Sequence, residues 1–330
     1  MLLAILPASG AIIIGLVLLA WSADRFVEGA SSIASHLGVS ALIIGITIIG
    51  FGTSAPEILV SVIAVVEGTP DIAIGNALGS NIANIGLILG ITALITPIPI
   101  DAGLLRREFP LLIIATAILI WRLADSALNR LDGLLLAAML IAVLLYLLKS
   151  HRQSPEENHI EESLSESIPQ GLSFMAAGGL VISGLVILVG SSKLLVWGAT
   201  EIAVTLGVSE LIIGLTVIAV GTSLPELAAS IASLRKGVPD LAIGNVIGSN
   251  LFNSLAVIGL PALLASFSID ADAIHRDLPV VAVFTLLLFC FSLFPASSQR
   301  TLSRLKGFWL LGGFVIYQLY LYYEVMAGSA

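Results

Sequence analysis

The sequence predicts an all-α polytopic membrane protein, with ten transmembrane helices arranged as two inverted five-helix repeats. Three observations predict this fold class. First, 58% of the 330 residues are hydrophobic and only 11% are charged, and apolar stretches of about 18 or more residues recur along the chain, each long enough to cross about 30 Å of hydrocarbon. Second, the chain repeats itself at a constant offset. Third, each copy of the repeat contains an odd number of apolar stretches.

The internal repeat covers residues 38–110 without a gap, and each residue in it corresponds to the residue 169 positions later. The offset carries Gly52–Glu57 (GTSAPE) onto Gly221–Glu226 (GTSLPE). It also carries Gly75–Asn81 (GNALGSN) onto Gly244–Asn250 (GNVIGSN). A match of this length indicates a duplicated structural unit.

The sequence of each unit predicts five consecutive helices. We expect residues 1–150 to form the first repeat, residues 151–171 an acidic cytoplasmic linker, and residues 172–330 the second repeat. The linker is rich in glutamate and lacks the ligand spacing of an EF-hand, so the sequence favours a solvated connection. The predicted helices lie near residues 9–34, 39–66, 71–97, 108–125 and 131–149, and near residues 172–203, 208–235, 240–266, 278–295 and 306–324.

Five spans in the first unit mean that the second unit enters the bilayer from the opposite side. Inverted repeats of this kind recur in secondary transporters. The distribution of basic residues predicts the same arrangement, because Lys and Arg favour the cytoplasmic side. With both termini outside, the inner loops contain Arg106, Arg107, Lys149, Arg152, Arg235, Lys236, Arg300, Arg304 and Lys306, and the outer loops contain Arg122, Arg130 and Arg276.

Glu57 and Glu226 lie in the middle of apolar stretches. A carboxylate at the centre of a membrane helix costs roughly 2.5–3.5 kcal/mol on insertion scales, so such a residue indicates a functional site. In a helix, Thr53 and Ser54 lie on the same face as Glu57, being four and three residues before it. Pro56 lacks an N–H and is expected to kink the helix and free backbone carbonyls near Gly50. Hydroxyl, carboxylate and carbonyl oxygens suit Na⁺, Ca²⁺ or Mg²⁺ rather than soft metals.

The following helix carries Asn76, Ser80 and Asn84 at a spacing of four residues, which places them on one face. The second copy supplies Asn245, Ser249 and Asn253 in the same way. If the two units meet at the bilayer midplane, four helices contribute oxygen ligands to one cation site. Two ionised glutamates carry a charge of −2, which either one Ca²⁺ or two monovalent ions can neutralise. Competition of these ions for the same carboxylates is the basis of an antiport mechanism. The amides of Asn76, Asn81, Asn245 and Asn250 are expected to support the site or to pack helices.

The two motifs, each present twice and in the same order, resemble the α-repeats of the cation/calcium exchanger superfamily, which includes the sodium/calcium exchangers and their prokaryotic relatives. The resemblance covers nearly the whole chain. It implies ten helices and Na⁺- or H⁺-driven Ca²⁺ export by alternating access, in which helices one and six slide past a fixed core.

Carried over position by position, the resemblance implies a set of cation ligands. These are the side chains of Thr53, Ser54, Glu57, Ser80, Asn84, Thr222, Ser223, Glu226, Ser249 and Asn253, together with the backbone carbonyls of Gly50 and Ala219. Some members of the superfamily have an aspartate at the position of Asn253. The neutral amide here predicts a site with two carboxylates, which argues against K⁺ co-transport.

The prediction from the sequence is therefore a Na⁺/Ca²⁺ antiporter of the cytoplasmic (inner) membrane. We expect no enzymatic activity, no prosthetic group, no nucleic-acid partner and no obligate protein partner, with Ca²⁺, Na⁺ and membrane lipid as the binding partners. Alternatives within the same class are H⁺-coupled exchange and Mn²⁺ or Mg²⁺ as the substrate. A cation channel and an intramembrane enzyme that uses paired carboxylates are the alternatives from other classes.

Overall fold

The computed structural model describes residues 2–37, 41–66, 68, 70–100, 102–151, 172–205, 219–293 and 300–328. The predicted linker, apart from its first residue, lies outside the described residues. So does the first part of the helix expected at 208–235.

Helices account for most of the described chain. In the first half they are α1 (Leu2–Leu37), α2 (Ala41–Ile44), α3 (Gly50–Val66), α4 (Pro70–Ala83), α5 (Gly90–Ile95), α6 (Ala102–Arg106), α7 (Glu108–Leu123) and α8 (Arg130–His151). In the second half they are α9 (Phe174–Thr205), α10 (Ala219–Thr222), α11 (Leu224–Arg235), α12 (Pro239–Phe252), α13 (Gly259–Leu264), α14 (Leu278–Leu293) and α15 (Arg304–Gly328).

Seven helical stretches among the described residues are long and apolar enough to cross a membrane. They are Leu6–Ile33, Gly45–Val66, Pro70–Ile95, Arg130–Lys149, Phe174–Ser191, Pro239–Leu264 and Ala273–Leu293. The sequence predicts a span at each of these places. The predicted helices near 108–125 and 306–324 correspond to α7 and α15.

Four of the joints inside the helical stretches are wide π-turns, which the sequence analysis does not predict. They are Gly45–Ile49, Asn84–Leu89, Asn253–Val257 and Ala273–Asp277. The second and third begin at equivalent residues of the two repeats, and these residues are the asparagines proposed as ligands. Short π-helical turns are frequent at functional sites because they re-aim side chains and backbone groups.

The core of the molecule is built around α12 and α4. Among the seven stretches described above, Pro239–Leu264 is the most buried, with 89% of its most apolar part inside the protein, and Pro70–Ile95 follows with 72%. The stretches Arg130–Lys149 and Phe174–Ser191 are only 28% and 22% buried, so most of their surface faces outward. The two stretches that carry the proposed serine and asparagine ligands are therefore internal.

Glycine permits the closest of these contacts. A Cβ atom on Gly248 of α12 would overlap the backbone of Ile46 in the first π-turn, and one on Gly45 would lie 2.8 Å from the carbonyl oxygen of Leu241. The absence of a side chain at these two glycines thus lets two backbones touch. At Gly79, the residue of the first repeat that corresponds to Gly248, no described heavy atom lies within 4 Å of such a Cβ.

Helices α1 and α9 pack against each other as a pair at the side of this core. A Cβ on Gly29 would lie 2.7 Å from the carbonyl oxygen of Ala177, and one on Gly198 would lie 2.6 Å from that of Ala8. These are equivalent contacts, since the repeat offset carries Gly29 onto Gly198 and Ala8 onto Ala177.

Two short antiparallel sheets join loops of different repeats. Strand β1 (Ile98–Pro99) pairs with β4 (Thr301–Leu302), and strand β2 (Ala127–Leu128) pairs with β3 (Phe267–Ser268). Each sheet therefore holds one loop of the first half beside one loop of the second half. Helix α7 separates β1 from β2 along the chain, and α14 separates β3 from β4.

Candidate cation site

The two predicted carboxylates are both buried in the core. Glu57 on α3 and Glu226 on α11 are each 1% exposed. Neither carboxylate oxygen of Glu57 has a hydrogen-bond partner among the described residues, and the same is true of Glu226 Oε2. A buried charge without a partner is costly, so the two carboxylates need either protons or a bound cation to neutralise them.

Side chains from the two repeats meet at this point. Ser54 Oγ of the first repeat lies 3.4 Å from Glu226 Oε1 of the second. Thr53 Oγ1 lies 3.5 Å from Ser249 Oγ, again across the repeats. These contacts bring polar side chains of the two halves together, as a cation site shared by both repeats would require.

Thr53, Gly50 and Ser249 form a triangle of oxygen atoms. Both Thr53 Oγ1 and Ser249 Oγ lie 3.5 Å from the carbonyl oxygen of Gly50, and 3.5 Å also separates the two hydroxyls. These separations are too long for good hydrogen bonds between oxygens, which are about 2.5–3.0 Å. Oxygen atoms that surround a common cation are spaced in this way.

The motif prolines have different consequences in the two repeats. Helix α3 continues through Pro56, and the irregular turn precedes it at Gly45–Ile49. In the second repeat the helix is interrupted at Ser223, and Pro225 lies in the first turn of α11. Proline lacks the N–H of a helical hydrogen bond, which explains why it is tolerated at such a start.

The next helix of each repeat adds buried polar atoms that are not paired. Ser80 Oγ, Asn84 Oδ1 and both side-chain polar atoms of Asn253 have no hydrogen-bond partner among the described residues. Asn84 Nδ2 donates to Asn250 Oδ1 at 3.0 Å, which leaves the oxygen of Asn84 as its available group. A direct ligand role for Asn84 and Asn253 therefore stays a prediction that these free atoms favour.

The other predicted ligands lie beside the interruption at Ser223. Ser223 is buried, and its hydroxyl has no partner among the described residues. Thr222 ends α10 and Ala219 begins it. The segment before Ala219, residues 206–218, lies outside the described residues.

Two asparagines hold the backbone of the glutamates in place. Asn76 Nδ2 donates to the carbonyl oxygen of Glu57 at 3.2 Å and to Ser61 Oγ at 3.0 Å. Asn245 Nδ2 makes the same two bonds, each 3.1 Å long, to the carbonyl oxygen of Glu226 and to Ser230 Oγ. These hydrogen bonds are those expected of asparagines that support a neighbouring site and are not ligands themselves. Ser61 and Ser230, which the sequence analysis does not select, repeat at the same offset of 169 residues.

A further hydroxyl that the sequence analysis does not select has no counterpart in the first repeat. Asn81 Nδ2 donates to Ser254 Oγ at 3.1 Å, whereas Ile85 stands at the position equivalent to Ser254. In a comparison of the two halves of the sequence, Ser254 stands out only because Ile85 occupies the equivalent position. A single polar residue produces no repeated pattern from which a role could be predicted.

This arrangement of donors fits hard cations. The cluster offers carboxylate, hydroxyl, amide and carbonyl oxygens, the ligand types that Ca²⁺ and similar ions prefer. The ion pairs recorded among the described residues do not involve Glu57 or Glu226. The negative charge of the cluster is therefore available to a bound cation.

Comparisons with known proteins give one consistent family. The model of a family described as sodium/calcium exchanger protein matches residues 8–149 and 176–323. Among curated proteins, CaxA of Alkalimonas amylolytica is 47% identical over 94% of this chain and 97% of its own length. The inner membrane protein YrbG of Escherichia coli (strain K12) is 39% identical over 96% of this chain and 98% of its own length.

Among solved structures, the sodium-calcium exchanger NCX_Mj, soaked with Na⁺ and Sr²⁺, superposes with a TM-score of 0.81. Its sequence is 31% identical, and the match covers 94% of this chain and 97% of that one.

Proposed function

Since this chain belongs to the sodium/calcium exchanger protein family, we propose that it is a secondary active antiporter that exchanges Ca²⁺ for Na⁺ by alternating access. Membership in a family of cation exchangers makes it a membrane transporter rather than an enzyme. The transported ions are its substrates, and the proposal includes no prosthetic group and no obligate protein partner.

One observation carries the proposal. Glu57 and Glu226 are both buried without basic partners among the described residues, and Ser54 of the first repeat lies 3.4 Å from the carboxylate of Glu226 in the second. Buried hydroxyl and amide atoms of Ser80, Asn84, Ser223 and Asn253 also lack hydrogen-bond partners among the described residues. A structural role would leave these oxygens unsatisfied at a large energetic cost. Cations that enter and leave in turn provide the missing compensation.

The oxygen spacing supports Ca²⁺ or Na⁺ over a smaller ion. Ca²⁺ binds oxygen at about 2.3–2.6 Å, and for octahedral ligands this places neighbouring oxygens about 3.3–3.7 Å apart. The triangle of Thr53, Gly50 and Ser249 has edges of 3.5 Å. Mg²⁺ binds at about 2.0–2.1 Å, which requires oxygens only about 2.8–3.0 Å apart.

We assign as cation ligands the residues that the family resemblance implies. They are the side chains of Glu57, Glu226, Thr53, Ser54, Thr222, Ser223, Ser80, Asn84, Ser249 and Asn253 and the carbonyls of Gly50 and Ala219. Their burial and their unpaired atoms support the assignment for most of this set. With Asn at position 253, the proposed site contains two carboxylates.

Charge neutralisation explains how transport is coupled. The two carboxylates carry −2, which one Ca²⁺ cancels, and two Na⁺ ions cancel it as well. A site without a cation retains both charges in an apolar core, so its movement between the two faces is disfavoured. Coupled exchange of the two kinds of ion is then favoured over uncoupled transport of one kind.

The pairing of the short strands supports ten spans and two inverted repeats. Paired loops must lie on one side of the membrane, so β1 and β4 share a side, and β2 and β3 share a side. If α7 and α14 each cross the membrane, these two sides are opposite. Residues 1–150 and 172–330 then form two repeats of opposite orientation, joined by the acidic cytoplasmic linker 151–171.

The proposed location is the cytoplasmic (inner) membrane, with both termini outside. The excess of Lys and Arg in the loops assigned to the inside supports this orientation. Lys306, in the first turn of α15 on that side, donates to the carbonyl oxygens of Phe291 and Thr301. On the other side, Asp132 lies in the first turn of α8 and forms an ion pair with Arg122.

Ion flux into proteoliposomes tests the proposal. Vesicles loaded with Na⁺ should take up ⁴⁵Ca²⁺ when the outside medium lacks Na⁺, and uptake should stop when Na⁺ is equal on both sides. A pH gradient in place of the Na⁺ gradient tests H⁺ coupling, and Mn²⁺ and Mg²⁺ competition tests the substrate. Uptake that needs no counter-ion gradient would indicate a channel and would contradict the proposal.

Variants of the carboxylates provide the control for the site. Glu57→Gln and Glu226→Gln should each abolish gradient-driven uptake. Asp125→Asn, which changes an exposed carboxylate whose ion pair with Arg122 is 3.7 Å long, should leave uptake near the wild-type rate. Unchanged uptake in the two glutamine variants would refute the proposed site.

A further inference from the structure

Asn245 lies at the junction of the two repeats, completely buried in α12. Its side chain contacts the carbonyl oxygen of Glu226, Ser230 Oγ and Thr53 Oγ1, each at 3.1 Å. It therefore contacts both the carboxylate-bearing helix of its own repeat and a proposed hydroxyl ligand of the other repeat.

The chemistry of these partners determines the orientation of the amide. A backbone carbonyl only accepts hydrogen bonds, so the atom facing Glu226 must be the donor Nδ2. The atom facing Thr53 is then Oδ1, which only accepts. The Thr53 hydroxyl must consequently donate its one proton for this contact to be a hydrogen bond.

The same proton has a second acceptor, the carbonyl oxygen of Ile49 at 3.0 Å. The Asn245 oxygen is buried, and Thr53 is the donor recorded for it among the described residues. Loss of this bond would leave the amide oxygen buried and unsatisfied, which is more costly than the net gain from an ordinary hydrogen bond. With its proton held by either acceptor, the hydroxyl can present a lone pair to a cation.

We propose that Asn245 is a positioning residue that orients the Thr53 hydroxyl for cation binding and joins it rigidly to the backbone of Glu226. The proposal rests on the exchange function proposed above. Asn245 does not need to touch the cation. Its role is to hold ligands of two different repeats at a constant separation, as outer groups do around protein-bound metals.

The equivalent asparagine provides an internal comparison. Asn76 makes the same two donor bonds, to Glu57 and Ser61, but it is half-buried. The contact with a hydroxyl of the other repeat is recorded for Asn245. We therefore expect the loss of Asn245 to act through Thr53.

A double-mutant cycle in proteoliposomes tests this inference, with KM for Ca²⁺ and the maximal rate measured separately. Asn245→Ala and Thr53→Ala should each raise KM about 10-fold, in the range typical for outer groups of metal sites. The double variant should resemble Thr53→Ala alone, within about 3-fold, because the two residues act as one unit. Independent effects would multiply to about 100-fold, and that result would overturn the proposal.

Controls separate this role from a general loss of stability. Asn129→Ala removes an asparagine that accepts the N–H of Leu131 at the start of α8, remote in sequence from the site, and should leave KM unchanged. If Asn245→Ala yields no folded protein, Asn245→Ser is tested in the same double-mutant cycle. The serine side chain keeps a polar group at this position, but it is one bond too short to reach Thr53. An unchanged KM in the folded variant would also overturn the proposal.

The outcome is distinguishable from failure of the proposed function. If the wild-type chain shows no gradient-dependent Ca²⁺ uptake, the exchanger assignment itself is wrong. If the wild-type chain exchanges ions and the cycle is additive, only the role of Asn245 is wrong.

Discussion

Ser54 Oγ and Glu226 Oε1 lie 3.4 Å apart, although 172 residues separate them along the chain. The contact joins a hydroxyl of the first repeat to a carboxylate of the second. The proposed cation site therefore spans both repeats, and any movement of one repeat relative to the other would change its proposed ligands.

Removal of this hydroxyl should weaken Ca²⁺ binding without unfolding the protein. Ser54→Ala is expected to raise KM for Ca²⁺ about 10-fold, because a group beside the carboxylate is lost. Ser183→Ala is the matched control, since Ser183 is exposed and donates to the carbonyl oxygen of Gly179 in α9. Equal KM values for Ser54→Ala and wild type would contradict the contact's role.

Cation binding should stabilise the purified protein in an ion-selective manner. At a concentration of about 100 times Kd, a cation that binds only the folded state adds about 2.7 kcal/mol to the free energy of unfolding. We expect Ca²⁺ and Na⁺ to raise the melting temperature and Mg²⁺ to have little effect, because the oxygen triangle is too wide for Mg²⁺. Glu57→Gln should lose the Ca²⁺-dependent shift. Equal stabilisation by Mg²⁺ would contradict the size argument.

The contact between α12 and the first π-turn should tolerate no added methyl group. Gly248→Ala would place a Cβ against the backbone of Ile46, and overpacking of this kind costs about 1–3 kcal/mol. We expect a lower melting temperature and reduced exchange. Gly312→Ala is the control, because no described heavy atom lies within 4 Å of that position. A drop of the same size in Gly312→Ala would show that the effect is not specific to the contact.

Cysteine pairs in the short strands test the sidedness of the two sheets. Ala127 and Ser268 are register partners in one sheet, and Pro99 and Thr301 are partners in the other. Partner Cα atoms in antiparallel strands are about 4.5–5.5 Å apart, within the range that a disulfide spans. In a Cys290→Ser background, both pairs should crosslink under oxidation.

The reactivity of these pairs from outside the cell distinguishes the two orientations. A membrane-impermeant thiol reagent added to intact spheroplasts should label the reduced Ala127→Cys/Ser268→Cys pair and not the Pro99→Cys/Thr301→Cys pair. Labelling of the second pair alone would reverse the proposed orientation. Labelling of both pairs from one side would refute the inverted arrangement.

The parts of the fold and of the candidate site that could be predicted are those that depend on local sequence patterns. Three features can be identified from the sequence alone. They are the length of the apolar stretch Pro239–Leu264, the position of Glu226 within an apolar stretch, and the correspondence of Asn76 with Asn245 at the repeat offset. They depend on properties of single helices or on direct comparison of the two halves. The π-turns at Asn84 and Asn253 were not predicted, because the backbone adopts them in response to packing between helices.

By itself, the sequence determined the membrane class, the duplicated unit and the pair of intramembrane carboxylates, because hydrophobic length and the cost of buried charge act within each segment. Only the tertiary structure decided that Thr53 meets Asn245, that Ser54 meets Glu226 and that the carbonyl of Gly50 lies beside Ser249. These contacts depend on how closely the glycines of α12 allow two helices of different repeats to approach. That distance is a property of the packed assembly, and no segment encodes it alone.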